Sequence, residues 1–493
     1  MNYLAFDLGA SSGKLFAAHF NGNVLSFKQI HRFANSPVAL AQGLYWDFPY
    51  LYSEMLRGIG AALTELQGKP ASLGIDSFSN DFSFIDSDGA LLAPMRSYRD
   101  MRTTQCMDQI FSQMSPQDLY NRSGNQIAPF NTLMQLASMK IQRKDAILDY
   151  AYRMLLLPDL LTYYLTGEIQ AEYTVASVSQ MLDFARRDWH EEILQAFHIP
   201  RNILPPIVMP GSHTLSSSAA LSKATGLAPF SVIPVCSHDT ASAFLGAPVS
   251  GSAGILSSGT WSLVGLETKN PLISEYGFRH NIANEGGLEG HHRLLCNVMG
   301  SWLLQQLQAE YASEGMHCDF NRLTGLAQTE KPLCWFVNVD HPDFFAPGDI
   351  RRKLRENGVQ AYGDMPETMG QYARCICEGL AFKYRLVVEK LERLTGRTLP
   401  ALHVVGGGSN DSFTCQLTAN LLGRPVIAGP PDASAIGNVL VQMMADGSIS
   451  SVEQGRQIVA ASFPSTTYAP NDTGLWDEAY HHFCACFSLS ALQ

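Results

Sequence analysis

The first twenty residues of the chain constrain its fold more than any other segment. Residues 3–6 (YLAF) and residues 15–20 (LFAAHF) are apolar, and the polar segment DLGASSGK lies between them. Two apolar runs joined by a Gly/Ser-rich turn predict a β-hairpin. Gly9 and Gly13 permit tight backbone turns, so that backbone N–H groups and the hydroxyls of Ser11 and Ser12 can point at phosphate oxygens. The segment predicts a phosphate-binding hairpin, with an ordinary glycine hairpin as the alternative.

Charged residues stand on both sides of this turn. Lys14 adds positive charge after the turn, and Asp7 stands before it, where a carboxylate can hold a water molecule on Mg²⁺. A Walker A loop has a different pattern, because it needs G-x-x-x-x-G-K-[ST] leading into a helix. The hairpin therefore predicts phosphate binding of another type, and it needs partners elsewhere in the chain.

Two segments in the second half of the chain have related patterns. Residues 254–265 (GILSSGTWSLVG) again place a Ser/Gly turn between apolar runs, and residues 402–410 (LHVVGGGSN) run from a predicted strand into three glycines before a predicted helix over 411–422. Three glycines let a flat ring lie against the backbone, and a helix N-terminus favours an anionic group. The GGG turn alone could be a tight strand–helix connection. With two phosphate hairpins it predicts a nucleotide held between two lobes.

The length of the chain and the order of its elements predict two α/β domains. At 493 residues the chain is too long for a single core. Predicted strands (72–76, 82–86 and 230–236) alternate with predicted helices (50–66, 132–141 and 152–165). Residues 246–252 are small, polar and turn-forming, so we expect domains over 1–247 and 248–493. The similar openings of the two halves suggest a duplicated domain.

Composition excludes several classes of partner and location. The net charge is −11, which argues against nucleic acid or an anionic membrane as the main partner. The ten cysteines are scattered, and their C-x-C spacings suit neither a zinc site nor a thioredoxin motif. No apolar stretch approaches the ~18 residues of a membrane span, and no signal-peptide pattern is present. We expect a soluble cytoplasmic protein with reduced thiols.

Ordered blocks along nearly the whole chain resemble the FGGY family of carbohydrate kinases. The blocks that carry the resemblance are residues 7–13, 97–103, 130–133, 156–161, 237–242, 257–262 and 429–438. The resemblance implies two actin-like ATPase (ribonuclease H-like) domains with a ligand cleft between them. It also implies transfer of the γ-phosphate of ATP, with Mg²⁺, to a sugar hydroxyl. Within the family, the chain is most similar to the branch that phosphorylates the C1 hydroxyl of L-rhamnulose.

The resemblance assigns roles to individual positions. It implies that Asp239 is the catalytic base, and we expect a monomer or homodimer that acts on small molecules, with Asp7 binding the metal through water because of its place before the hairpin turn. The expected sugar contacts are Ser79, Asp81, His238, Thr240 and Asn297, of which Asp81 is expected from its place in the loop after the strand 72–76. The implied ATP contacts are Ala10, Ser11, Ser12, Gly13, Lys14, Thr260, Gln305 and Gly407.

Elementary chemistry supports the role implied for Asp239. A carboxylate with a pKa near 4 is a weak base toward a sugar hydroxyl in the ground state. Phosphoryl transfer has a loose transition state, in which the hydroxyl becomes acidic only as the new P–O bond forms, so a fixed carboxylate can orient it and accept its proton late. The alternative is that Asp239 caps the predicted helix that follows it.

The other polar candidates also keep structural alternatives. His238 could be a satisfied histidine at a strand end, and Asp76, which could join Asp7 near the metal, could instead cap a turn, as could Asp81. The chain has Phe78 and Ser79 where the L-rhamnulose branch carries tryptophan and glycine. The Ser79 side chain would shrink the pocket or select a different hydroxyl pattern, so L-fuculose, L-ribulose and xylulose remain alternative substrates.

Three other functions are weighed against a sugar kinase. A catalytically silent sugar-binding regulator would lack the base or the acid on the metal side, whereas Asp239 and Asp7 are both present. A chaperone-type actin-like ATPase would need an added peptide-binding domain. A kinase of the ROK type would usually carry a zinc-binding cysteine cluster. The sequence therefore favours the FGGY-type sugar kinase.

Overall fold

The computed structural model describes residues 1–66 and 70–491, and it divides the chain into two compact units. The first unit comprises Met1–Gly246, Glu267–Leu294 and Ala433–Ser462, and the second comprises Ala247–Leu266, Leu295–Asp432 and Phe463–Gln493. The first unit is therefore completed by two segments from the second half of the chain. Within the described residues, no helix has the length and apolar character needed to span a membrane.

Both units mix strands with helices. The strands, in chain order, are β1 (Asn2–Leu8), β2 (Ser12–Phe20), β3 (Leu25–Ala34), β4 (Val38–Leu40), β5 (Gly43–Tyr45), β6 (Ser72–Ser77), β7 (Phe82–Ile85), β8 (Arg153–Leu156), β9 (Ala171–Glu172), β10 (Leu182–Asp183), β11 (Asp188–Trp189), β12 (Ile207–Val208), β13 (Leu215–Ser216), β14 (Ser231–Val232), β15 (Gly254–Ser258), β16 (Trp261–Thr268), β17 (Ala283–Gly286), β18 (His292–Met299), β19 (Trp335–Val337), β20 (Gly358–Gln360), β21 (Leu402–Val405), β22 (Val426–Ala428) and β23 (Thr466–Tyr468).

The helices range from single turns to one long helix, α15. They are α1 (Phe48–Glu65), α2 (Met107–Phe111), α3 (Pro116–Ser123), α4 (Thr132–Ile141), α5 (Ile147–Tyr150), α6 (Leu157–Thr166), α7 (Tyr173–Ser177), α8 (Glu191–Ala196), α9 (Ala219–Thr225), α10 (Asp239–Gly246), α11 (Glu275–Arg279), α12 (Trp302–Ser313), α13 (Phe320–Thr329), α14 (Ile350–Asn357), α15 (Met369–Thr395), α16 (Ser412–Leu422), α17 (Ala433–Ala445), α18 (Val452–Ser462) and α19 (Thr473–Cys486). Short 3₁₀ helices cover Met101–Cys106, Arg201–Ile203, Leu288–Gly290, Pro342–Phe344 and Gly407–Asn410.

The main sheet of the first unit has the strand order β13-β14-β6-β1-β2-β3. The hairpin β1–β2 is antiparallel, whereas β6 runs parallel to β1 and β14 runs parallel to β6. Apolar residues of β1, including Leu4, Phe6 and Leu8, are fully buried in the core beneath the sheet. The predicted hairpin at the start of the chain is therefore confirmed, and it forms the centre of this sheet.

The second unit repeats the central part of this arrangement. Its sheet includes, in this order, β18-β16-β15-β21-β22-β23, with β15–β16 antiparallel and with β15, β21 and β22 mutually parallel. Each unit therefore centres on a hairpin whose first strand is followed by parallel neighbours. The predicted β–turn–β segment at 254–265 and the strand that precedes the three glycines are confirmed.

One predicted helix is wrong in its first half. The apolar run at 152–165 was expected to be a single helix, but Arg153–Leu156 forms β8, which pairs antiparallel with β7, and α6 begins only at Leu157. Pro158 lies in the first turn of α6, where it needs no N–H partner, and Gly167 ends the helix in a left-handed conformation. An apolar run buried on all sides has no helical or strand periodicity, so its type depends on its neighbours.

Two helices of the first unit cross at close range. A Cβ atom on Gly437 of α17 would lie 1.8 Å from the carbonyl oxygen of Ser242 in α10, and one on Gly246 would lie 2.2 Å from the carbonyl oxygen of Ala433. Only glycine can occupy these two positions at this separation. The crossing matters for the site because α10 begins at Asp239 and α17 carries Asn438.

Candidate active site

The turn between β1 and β2 is closed by backbone hydrogen bonds. The N–H of Gly9 donates to the carbonyl oxygen of Ser12 (2.9 Å), and the side chain of Asn35 donates to the carbonyl oxygen of Gly9 (2.9 Å). Ser11 is exposed at the tip, and Ala10 is half-buried. The implied phosphate contacts therefore sit on a fixed, accessible turn.

Gly13 does not form the tight turn that the sequence predicts for it. Neither Gly9 nor Gly13 adopts a left-handed conformation, and Gly13 lies within β2. A Cβ atom at Gly13 would lie 2.1 Å from the ring of Phe33 on β3. The residue is a glycine because an aromatic ring packs on its backbone, which supports the base of the hairpin.

Charged side chains form a row across the sheet at the carboxyl ends of β1 and β6. Asp7 is the register partner of Lys14 on β2 and of Asp76 on β6, so the three side chains lie on one face. Burial raises the pKa of Asp76 well above its usual range, and the negative charges of Asp7 and Asp239 raise it further. Asp7, Asp76 and Asp239 are therefore electrostatically coupled.

A buried amide ladder on α17 supports Asp76. Asn438 donates from Nδ2 to Oδ2 of Asp76 (2.6 Å), and Gln442, one turn later, donates to Oδ1 of Asn438 (2.7 Å) and to the carbonyl oxygen of Leu4 (2.9 Å). A Cβ atom at Gly74 would lie 2.1 Å from the Asn438 side chain, so β6 has a glycine where the ladder passes. The ladder fixes the Asp76 carboxyl group from the helix side.

Asp239 is the first residue of α10, directly after the buried His238. Its side chain is 28% exposed, and its Oδ1 accepts a hydrogen bond from the hydroxyl of Thr240 (3.1 Å) and lies 3.4 Å from Nε2 of His238. Burial raises the pKa of Asp239, while the neighbouring His238 and the Thr240 hydroxyl oppose that shift. Asp239 is thus a partly accessible carboxylate at a helix N-terminus with a defined orientation.

A second buried carboxylate holds the backbone that leads into Asp239. Oε2 of Glu172 accepts hydrogen bonds from the hydroxyl of Thr174 (2.6 Å) and from the N–H of Ser237 (3.0 Å). The N–H of His238 in turn donates to the Thr174 hydroxyl oxygen (3.2 Å). Burial raises the pKa of Glu172 to about 7. The backbone of residues 237–238 is therefore held in place by the side chains of Glu172 and Thr174.

Asp81 lies in a different environment, against aromatic side chains. The indole N–H of Trp46 donates to Oδ2 of Asp81 (2.7 Å), and the ring of Trp46 packs on Phe78 with centroids 4.8 Å apart. Phe78 in turn contacts Tyr98, with centroids 6.1 Å apart. Burial raises the pKa of Asp81 to about 8, although the Trp46 hydrogen bond opposes the shift. Ser79, between these residues, is half-buried.

The carboxylates of Asp7 and Asp76, at the carboxyl ends of β1 and β6, are suited to bind a hydrated divalent cation. Asp7 and Asp76 lie side by side with carboxyl groups that share a hydrogen bond, and a cation would offset the like charges that raise the pKa of Asp76. Within residues 1–66 and 70–491, no group of three His, Cys, Asp or Glu side chains is arranged to hold a metal ion. Mg²⁺ commonly keeps several waters and takes one or two carboxylates plus substrate phosphates.

In the second unit, a hairpin turn and the three glycines are packed together. β15 and β21 are parallel neighbours, so Ser258 at the end of β15 meets the glycines after β21. Cβ atoms at Gly406 and Gly408 would lie 2.7 Å and 2.0 Å from the backbone oxygen and the hydroxyl of Ser258. Gly407, between them, is exposed with open space where a Cβ would lie. A flat ligand could therefore approach the backbone at Gly407.

The start of α12 is tied to the same hairpin. The N–H and hydroxyl of Ser301 both donate to the carbonyl oxygen of Gly259 (3.0 and 2.8 Å), and Gln305 donates to the Ser301 hydroxyl (3.1 Å). Thr260 at the turn and Gln305 are half-buried. Asn297 is half-buried on β18, and its Oδ1 has no hydrogen-bond partner among the described residues.

The structure thus gathers the predicted residues into groups within each unit. Sequence reasoning missed the residues that hold them in place: Glu172, Thr174, Glu285, Arg293, Asn438 and Gln442. The spacing of Asn438 and Gln442, four residues apart among apolar residues of a buried helix, was the one available indication of the amide ladder.

Comparison with known proteins gives the class of this fold and site. The model of the N-terminal domain of the FGGY family of carbohydrate kinases matches residues 2–246, and the model of the C-terminal domain matches residues 254–445. The two sheets with their hairpins are those of a sugar-phosphorylating enzyme, and the fold and enzyme class predicted from the sequence are confirmed. The chain belongs to the FGGY family of carbohydrate kinases, which phosphorylate sugars at the expense of ATP.

Individual relatives are similar over almost their full length. Rhamnulokinase of Bacteroides thetaiotaomicron is 37% identical over 487 residues, covering 98% of this chain and 99% of that protein. Rhamnulokinase of Pectobacterium carotovorum subsp. carotovorum is 37% identical over 475 residues, covering 95% and 93%. The crystal structure of gluconate kinase from Lactobacillus acidophilus aligns with a TM-score of 0.82 at 16% identity, covering 100% of this chain and 98% of that one, which is a likeness of fold.

Proposed function

We propose that this sugar kinase phosphorylates L-rhamnulose at its C1 hydroxyl. The single observation that carries the catalytic assignment is the position of Asp239: a carboxylate 28% exposed, at the first turn of α10, oriented by Thr240 and facing His238. The similarity to rhamnulokinases over nearly the whole chain supports the choice of sugar. A catalytically silent regulator is not favoured.

In the proposed reaction, Asp239 orients the C1 hydroxyl of the sugar toward the γ-phosphorus of ATP. The C1 oxygen forms a bond to the γ-phosphorus, and the bond from that phosphorus to the oxygen bridging the β-phosphate breaks. The hydroxyl proton passes to the Asp239 carboxylate late in this step, because the hydroxyl becomes acidic only as the new bond forms. The products are the sugar 1-phosphate and ADP.

Each unit contributes its own groups to the proposed reaction. In the first unit, the turn 10–14 would bind phosphate oxygens, and Asp7 and Asp76 would hold a hydrated Mg²⁺, which supplies positive charge near the β- and γ-phosphates when bound. In the second unit, Thr260, Gln305 and Gly407 would bind the nucleotide, and Asn297 is a candidate sugar contact. These residues keep the roles that the sequence predicted for them.

The surroundings of Asp81 support a 6-deoxy sugar. A sugar of this class presents hydroxyls along most of its length and a methyl group at C6. Asp81 offers a carboxyl oxygen for hydroxyls, while Trp46, Phe78 and Tyr98 form an adjoining aromatic cluster. Aromatic rings suit a methyl group, because burying it removes apolar surface from water.

The test is a coupled ADP-release assay with Mg²⁺-ATP and L-rhamnulose, L-fuculose, L-ribulose or D-xylulose. We expect the highest kcat/KM with L-rhamnulose. In Asp239→Asn, kcat should fall by about 10²–10⁴-fold because the proton acceptor is lost, while the exposed Asp88→Asn serves as a matched control with unchanged kcat. ADP release that is equal with and without every sugar would contradict the proposal, and near-normal turnover of Asp239→Asn would contradict the assigned base.

A further inference from the structure

His238 is bound on its inner side by a buried ion pair. Nδ1 of its ring lies 3.1 Å from Nη2 of Arg293 and 3.5 Å from Oε2 of Glu285. Nε2 of the ring lies 3.4 Å from Oδ1 of Asp239. The side chains of Arg293 and Glu285 are each 1% exposed, and Nη1 of Arg293 lies 2.9 Å from Oε2 of Glu285. All four residues belong to the first unit.

The chemistry of these partners fixes which ring nitrogen carries the proton. A guanidinium group can only donate hydrogen bonds, so Nδ1 must accept from Arg293. A carboxylate can only accept, so Glu285 would favour the opposite arrangement. The Arg293 contact at 3.1 Å is the shorter and has hydrogen-bond geometry, whereas Glu285 lies at 3.5 Å and interacts with the ring more weakly. The tautomer that fits the shorter contact carries its proton on Nε2.

Arg293 cannot easily turn away from this position. Its Nε donates to the carbonyl oxygen of Gly286 (3.0 Å), its Nη1 faces Glu285, and its Nη2 faces His238. Although burial works in the other direction, Arg293 holds the pKa of Glu285 below its usual range, so the ion pair is maintained. The guanidinium is thus held by a hydrogen bond to the backbone and by charge attraction to Glu285, in addition to its contact with the histidine.

A proton on Nε2 has a direct consequence for the neighbouring carboxylate. It directs the N–H of His238 toward Oδ1 of Asp239, 3.4 Å away, where the opposite partial charges attract. Because Oδ1 also accepts a hydrogen bond from the Thr240 hydroxyl, Oδ2 is the oxygen that we assign to the proton of the sugar hydroxyl. A proton on Nδ1 would instead turn a lone pair of the ring toward a carboxylate, which is repulsive.

We propose that Arg293 is a positioning residue: by donating to Nδ1 of His238, it keeps the ring proton on Nε2, directed at Asp239 and the sugar. The role of Asp239 in this statement rests on the proposed function, whereas the position of the proton does not. Glu285 contributes by holding the guanidinium in place.

The first measurement is made on the unmodified protein. Histidine labelled with ¹⁵N distinguishes a protonated from an unprotonated ring nitrogen by NMR, and His238→Gln assigns the signal by its disappearance. We expect an unprotonated Nδ1 and a protonated Nε2 for His238 at neutral pH. A protonated Nδ1 would overturn the proposal, and this result does not depend on turnover or on the identity of the sugar.

The second measurement removes the donor. In Arg293→Met, Glu285 becomes the nearest polar partner of Nδ1, so the ring proton should move to Nδ1. As a result, kcat/KM for the sugar should fall by about 10–100-fold. KM for ATP should stay within about twofold of the wild-type value. Arg293→Lys should recover part of that loss. Because Arg293→Met leaves Glu285 buried without its cation, the double variant Glu285→Gln/Arg293→Met is made as well; its amide N–H can donate to Nδ1, so part of the lost kcat/KM should return.

The matched control is Arg456→Met in the same unit. Arg456 pairs with Glu267 at 2.7 Å and donates to the carbonyl oxygen of Phe244, away from His238. Its removal should leave the His238 signal and kcat/KM unchanged. If Arg293→Met keeps normal kcat/KM, or if the double variant loses as much kcat/KM as Arg293→Met, the positioning role is wrong. If Asp239→Asn alone retains turnover, the proposed base is wrong while the proton assignment stands.

Discussion

The close crossing of α10 and α17 makes a strong prediction about Gly437→Ala. In an unconstrained helix interior, this substitution stabilises by about 1 kcal/mol because alanine has the higher helix propensity. Here the new Cβ would lie 1.8 Å from the carbonyl oxygen of Ser242, and contacts below 3.0 Å essentially never occur, so the helices must separate by at least about 1.2 Å. Overpacking of this kind costs about 1–3 kcal/mol. Because the clash is with a backbone atom, the cost lies at the upper end of this range, and the gain in helix propensity leaves a net loss of about 2 kcal/mol.

Two assays with a matched control examine this prediction. A loss of about 2 kcal/mol lowers Tm by roughly 4–8 °C for a unit of this size. A displacement near 1 Å at Asp239 or Asn438 should lower kcat by about 100-fold. The control is Gly60→Ala in α1, where the new Cβ meets only Leu227 at an ordinary 3.5 Å and Tm should rise slightly. If Gly437→Ala melts no lower than Gly60→Ala and keeps its kcat, the helices do not cross as described.

Three further predictions concern other parts of the two units. Asn438→Leu removes the donor to Asp76 and should lower kcat by about 10–100-fold in steady-state kinetics, whereas an unchanged kcat would mean that the amide ladder does not support the site. The pKa of Asp81, raised to about 8, lies above its unfolded value near 3.9, so the folded state keeps a proton that the unfolded state loses and stability falls as pH rises between these values. The Tm advantage of Asp81→Asn over the wild type should therefore grow from pH 5 to pH 8, and a constant difference would refute the shift. Gly406→Ala places a side chain at φ 82° and 2.7 Å from the Ser258 backbone oxygen, so KM for ATP should rise about tenfold from a cost of 1–2 kcal/mol while KM for the sugar stays the same.

Much of the fold could be predicted because its decisive features are local in sequence. The two hairpins, the strand before the three glycines and the helix beginning at Asp239 each combine an apolar period with turn residues. β8 could not be predicted in this way. After Arg153 its residues are all apolar, and only pairing with β7 makes Arg153–Leu156 a strand while Leu157–Thr166 is a helix.

The groups that orient the site could not be predicted, because they are distant in sequence. Asn438 lies 362 residues from Asp76, and Arg293 lies 55 residues from His238. Nothing in the sequence near Arg293 distinguishes a buried arginine from a surface one. The roles predicted for individual contact residues, and the domain limits 1–247 and 248–493, remain predictions.

The amide ladder also shows why the purpose of a glycine is hard to read from a sequence. The sequence predicts a turn at Gly13 and a strand through Gly74. In the structure, both lie in strands, and each leaves room for a side chain, Phe33 or Asn438, that arrives from another element. The residue type was visible in the sequence, but the approaching group was not.

The assignment of α17 to the first unit also determines when that unit can fold during synthesis. The first 246 residues leave the ribosome long before Ala433–Ala445 is made. Until then, α10 lacks the helix that packs against it at Gly246, and the Asp76 carboxyl group lacks its hydrogen bond from Asn438. The first unit of a nascent chain therefore remains incompletely packed at α10 until most of the remaining chain has been made.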